Sequence, residues 1–170
     1  REFAAANPDN PPPIRIILLV VSLSALLHAY IGLRLVPPLG MNGAGTACAA
    51  ALLTASALLV PAGLLASAMK KLKWADQLAW AGMMAMGFFS SLLVLTVLRD
   101  VTLLILALIG GGGAYFVRGS AIAVPAVALL VTIAGLVNAR RVAKVVEVEV
   151  PIAGLPEAFH GYSIAQISDV

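Results

Sequence analysis

QLAWAGMMAMGFFSSLLVLTVL (Gln77–Leu98), then Arg99-Asp100, then VTLLILALIGGGGAYFV (Val101–Val117): the reading of this stretch decides the fold. The first part is 22 uncharged residues, long enough to cross a hydrocarbon core of about 30 Å, which needs about 20 apolar residues in a helix. The second is 17 residues, interrupted by four consecutive glycines, and only two residues separate it from the first. Helix connections run about 2–8 residues, and two residues, at the very bottom of that range, are too few for an ordinary helical hairpin. We therefore expect Val101–Val117 to be an interfacial or re-entrant segment capping the helix before it, not a span of its own.

Working outward, three more uncharged runs have spanning length. Ile16–Leu33 precedes a Pro37-Pro38, Gly40, Gly43 turn cluster; Thr46–Met69 follows it; Gly119–Ala139 lies beyond Arg118. In lipid each backbone polar group must be satisfied within its own segment, so these runs are expected as helices. The expected layout is an N-terminal flank over 1–13 and a transmembrane helical domain over 14–139, with spans at 16–35, 46–69, 76–98 and 119–138. A further domain would begin at 140–170.

Charge placement agrees with four spans. Arg1, Arg15, Lys70, Lys71, Lys73, Arg140, Arg141 and Lys144 then share one side, against Arg34, Arg99 and Arg118 on the other, 8 to 3. Five spans would give 6 to 5. The positive-inside rule thus places both ends in the cytoplasm. The composition fits: 61% of the 170 residues are hydrophobic and 11% charged, against about 25% charged in soluble domains. That excludes a soluble enzyme over most of the length. A net charge of +3, scattered along the chain, is no nucleic-acid footprint.

The polar residues of the spans read mainly as structure. His28, with Tyr30 two positions on, has no second ligand at helical spacing, so an interhelical hydrogen bond outweighs a metal or proton-relay role. Gly63 and Ser67, with Gly82 and Gly87, are small residues that let helices approach closely. Trp74 and Trp80 beside Lys73 read as an interface anchor. Cys48 is expected to be a small buried residue, and one cysteine permits no internal disulfide. No Asp or Glu falls within the uncharged runs Ile16–Leu33, Thr46–Met69, Gln77–Leu98 and Gly119–Ala139, which argues against cation-coupled transport.

Beyond Arg141 the pattern changes. Val146, Val148 and Val150 alternate with Glu147 and Glu149, a period of two that predicts a half-exposed strand. A second strand is expected around Tyr162–Ile167. The expected fold class is therefore an α-helical membrane bundle of about four helices followed by the first β-strands of a truncated α/β domain. With no initiator Met and a close at Ser168-Asp169-Val170, the chain reads as a fragment.

Leu155-Pro156, Gly161, and then Ile164, Gln166, Ile167, Ser168 and Asp169 make up a Leu-Pro lead, a glycine and an I-x-Q-I-S-D strand. This stretch resembles the entry into the catalytic domain of calcineurin-like metallophosphoesterases, and the helices before it resemble the arrangement of the membrane-anchored bacterial branch. The resemblance covers about the last sixteen residues. It implies that Asp169 ligates the first of two divalent ions (Mn, Fe or Zn), which neutralise a phosphate and lower the pKa of a bound water. It further implies a hydrolase of phosphate ester or pyrophosphate bonds in a bacterial inner or plasma membrane; the short linker from Arg140 to Asp169 adds lipid-linked phosphates to its expected substrates, and the apolar runs make the bilayer its partner. The later family motifs are not in this sequence, so the fragment itself is expected to be inactive. His160 precedes the strand and matches no ligand position. The alternative is a small four-helix integral membrane protein with a structural or transport role.

Overall fold

A computed structural model describes residues 13–66 and 73–141, together with Gly154, Pro156 and Phe159. Four α-helices make up the first of two units into which the chain divides, Arg1–Arg140 and Arg141–Val170. They are α1 (Ile14–Leu35), α2 (Gly43–Ala66), α3 (Ala75–Leu108) and α4 (Ala114–Ala139), with a short 3-10 turn at Pro37–Leu39. All four are long and apolar enough to cross a membrane.

The helix ends follow from local chemistry. Pro37 lacks an N–H and α1 stops before it. The 3-10 turn then closes at Gly40, whose φ of 59° is the left-handed conformation a glycine adopts without strain. Asn42 starts α2: its Oδ1 accepts from the Gly45 N–H at 2.8 Å, as an N-cap residue does. At the end of α3 the Gly110 N–H donates to the Ala107 carbonyl and the Gly111 N–H to the Leu106 carbonyl. This is the Schellman arrangement, with Gly110 left-handed at φ 75°.

Two expectations are corrected here. Helix α3 does not end at Leu98; it runs through Arg99-Asp100 to Leu108, and α4 begins at Ala114. The expected interfacial segment is thus divided between the end of one span and the start of the next, with the four glycines as the turn. One consequence is that a carboxylate, Asp100, does lie within a spanning helix. The second correction concerns fold class. The described secondary structure is helical throughout, with no strand among the described residues, so the mixed class of a bundle followed by β-strands gives way to an all-helical one. The strands expected at 146–150 and 162–167 lie outside the described residues.

Helix α3 is the centre of the packing, touching α1, α2 and α4, whereas α2 and α4 do not meet. Ile31, Leu35, Leu92, Val124 and Ala128 form the core, with Leu53, Phe88, Phe89, Leu93 and Leu95 packed on it. Most large apolar side chains instead face outward, as the lipid-facing surface of a membrane bundle does. Apolar contact with lipid gives no drive for helix association, so close packing and interhelical hydrogen bonds must hold the helices together.

Candidate functional site: two polar nodes between the helices

The first node lies midway along α1. Pro61 has no N–H, so the carbonyl of Ala57, four residues earlier in α2, loses its helical partner. The Ser24 hydroxyl of α1 donates to that carbonyl at 2.9 Å. One turn on, the His28 ring Nδ1 lies 2.8 Å from the Ser24 carbonyl and must donate to it. That tautomer leaves Nε2 as acceptor for the Ser56 hydroxyl of α2, 3.0 Å away. The imidazole also stacks on Phe89 of α3, ring centroids 4.2 Å apart and 11° from parallel. His28 thereby connects three helices, and both ring nitrogens are committed. The interhelical reading of this histidine is the one its surroundings support.

The second node is charged. The Arg99 side chain is only 3% exposed and its guanidinium reaches two other helices. Nε donates to the Ser120 hydroxyl of α4 at 2.9 Å, Nη2 to the Val117 carbonyl at 3.0 Å, and Nη1 to the Arg34 carbonyl at 3.3 Å. The last bond caps α1, whose final carbonyls have no partner within the helix and carry its negative dipole end. Asp100 supplies the counter-charge. Its Oδ1 lies 3.4 Å from Arg99 Nη1, and its Oδ2 accepts from the Tyr30 hydroxyl at 2.7 Å and from Arg34 Nε at 2.6 Å. Charges within spanning helices are costly unless paired with one another or with carbonyls. Both kinds of pairing occur here.

The arrangement joins helices. No buried side-chain nitrogen or oxygen among the described residues lacks a hydrogen-bond partner. No three His, Cys, Asp or Glu side chains converge among them to hold a metal ion. Asp169, the expected metal ligand, and His160 lie outside the described residues, so the fit of a two-ion centre around Asp169 rests on sequence alone. Cys48 is exposed, not buried as expected, because it lies on the outward face of α2, where lipid surrounds it. Sequence reasoning missed the charged node because it took Arg99-Asp100 for a loop. The available signal was Arg34 and Tyr30 one helical turn apart on α1, with Asp100 the one acid between Gln77 and Ala139 to complement them.

Four spanning helices make this an integral membrane protein, with the bilayer as its surroundings. No protein family, curated protein or solved structure matches the chain.

Proposed function

We propose that the helical unit is a membrane-embedded scaffold whose polar groups hold helices in place and carry no solute. One observation supports this above the rest: Asp100, the carboxylate a dehydrated cation would need, already receives Tyr30, Arg34 and Arg99. A transport site keeps such a group free to exchange partners. The charge asymmetry supports an orientation with both ends of the unit in the cytoplasm. The chain is expected to stay in the membrane pellet through alkaline extraction, with a reporter fused after Arg141 reading cytoplasmic. Release into the supernatant would refute the scaffold, and a reporter on the far side would refute the orientation.

A second reading concerns the residues after Arg140. The Ile164, Gln166, Ile167, Ser168, Asp169 pattern supports a metal-dependent phosphoesterase for which the helices are the anchor. On this reading Asp169 holds a divalent ion, and the stretch from Arg140 to Asp169 tethers the centre to the membrane, favouring lipid-linked phosphates. The bound ions would supply an activated water and neutralise the phosphate. The protein expressed from its own gene should then retain Mn, Fe or Zn through purification and hydrolyse p-nitrophenyl phosphate. Asp169→Ala should lower both by on the order of 10–100-fold, the scale of loss from a disturbed metal site. Metal content and turnover unmoved by that substitution would rule out the hydrolase and leave the scaffold standing.

A further inference from the structure

Helix α4 packs along only part of its length. Its buried residues, Ala121, Val124 and Ala128, all precede Val131, no residue from Val131 to Ala139 is buried, and α2 does not reach it. Between α3 and α4 this leaves a groove of about 300 Å³, lined by Ser90, Ser91, Val94 and Leu95 of α3 and by Val131 of α4. Both serine hydroxyls donate to the Gly87 carbonyl at 3.1 Å, so the lining calls for no polar ligand.

The groove sits near the middle of the membrane. Ser90 and Ser91 are the 14th and 15th residues of the 22 in Gln77–Leu98, and Val131 is the 13th of the 21 in Gly119–Ala139. Gly87 and Gly135 lie one turn from these positions on the same helix faces, toward the start of α3 and the end of α4. A Cβ on either would meet nothing within 4 Å. The opening thus continues toward the leaflet at those two helix ends. From Val131 to Ala139 that is about 12 Å at 1.5 Å per residue, within the depth of one leaflet of a ~30 Å hydrocarbon core.

We infer that one acyl chain of a phospholipid from that leaflet is seated in the groove between α3 and α4. No water is available at this depth to fill the space, and an empty groove would forfeit the dispersion contacts of its walls. Hydrocarbon or another helix must therefore fill it. One helical turn, about 10 Å across and 5.4 Å long, takes up roughly 400 Å³, more than the groove holds. A helix from a second copy would rest on the rim formed by Val94, 65% exposed, and Val131, 52% exposed. A single alkyl chain is thin and flexible enough to enter between the two valines. The inference goes beyond the scaffold role and does not depend on the hydrolase reading.

The test uses the full chain in phosphatidylcholine nanodiscs, released into mild detergent and weighed intact by native mass spectrometry. The unaltered chain is expected to keep a phosphatidylcholine molecule through detergent washing that strips the surrounding lipid. Ser91→Phe puts a ring into the groove and should abolish that retention. Val131→Phe fills it from the facing wall and should do the same, which keeps the test decisive if one of the two fails to fold. Leu130→Phe is the control: Leu130 lies at the same depth and is 65% exposed but does not line the groove, so this variant should keep the lipid. An unaltered chain that keeps no phospholipid would overturn the inference. Retention lost equally in Leu130→Phe, or unmoved in both groove-filling variants, would reduce the lipid to ordinary surroundings and overturn it too. So would a lipid-free dimer that Ser91→Phe dissociates, because the groove would then belong to a second copy.

Discussion

Asp100→Leu is expected to lower the unfolding free energy of the bundle by about 3–5 kcal/mol, the cost of removing one partner from a buried charge pair. The leucine fits a lipid environment better than aspartate does, so hydrophobicity alone predicts a gain. The loss comes from what remains. Arg99 keeps its carbonyl and hydroxyl acceptors on α1 and α4 but loses its counter-charge, and Tyr30 and Arg34 lose their shared acceptor. Asp100→Asn keeps an oxygen for Tyr30 and Arg34 and should cost about 1–2 kcal/mol, near the value of a hydrogen bond to a charged group. The charge contribution separates in a cycle with Arg99→Met. If the two residues act as a pair, Arg99→Met with Asp100→Leu will cost less than the sum of the single losses, by about 1–3 kcal/mol. Unfolding in mixed micelles of increasing denaturing detergent provides the measurement. An Asp100→Leu loss below about 1 kcal/mol would mean that the node is solvated and holds nothing together.

The same node marks the limit of what the sequence discloses. The lengths of the uncharged runs are set by the thickness of the hydrocarbon core, a constraint acting along the chain, and so the spans are legible in the order of residues. Arg99-Asp100 looks like an exit from the membrane for an equally sound local reason: unpaired charges are expensive in lipid. Their partners Tyr30 and Arg34 lie in a different helix, 65 to 70 positions away in the chain, and no periodicity signals such a pairing. His28 was more readable, because one neutral polar side chain in a span has few uses other than bonding a neighbouring helix. The role of Ser24 was hidden, since it depends on the proline in α2 that frees the Ala57 carbonyl. Cys48 misled because free cysteines are among the most buried residues in soluble proteins, whereas a membrane helix turns apolar side chains outward at no cost. Asp169 rests on sequence pattern alone, outside the described residues.

Small residues were legible as a class but not as a contact, and the contact they make sets the second large effect. Gly82→Val is expected to force α2 and α3 apart. A Cβ built on Gly82 would lie 2.5 Å from the Gly63 Cα and 2.9 Å from the Leu59 carbonyl oxygen. A Cβ on Gly63 meets the Gly82 backbone just as closely. Everything in the way is backbone, so no rotamer change relieves the overlap and the helix axes must separate. Separation loosens the α2–α3 contact, the most extensive between any two helices of the bundle, and in lipid close contact is a principal source of association energy. Overpacking a tight interior costs about 1–3 kcal/mol and occasionally more. With only backbone to yield, the upper end or beyond applies. Gly87→Ala on the same helix is the control, since a Cβ there meets nothing within 4 Å. It removes a glycine from a helix interior and should stabilise by about 0.5–1 kcal/mol. If Gly82→Val and Gly87→Ala shift the detergent-unfolding midpoint equally, backbone contact between α2 and α3 is not what holds that pair. A large loss at Gly82 alone, reproduced by Gly63→Val and not doubled when both are changed, would assign the effect to a single shared crossing point.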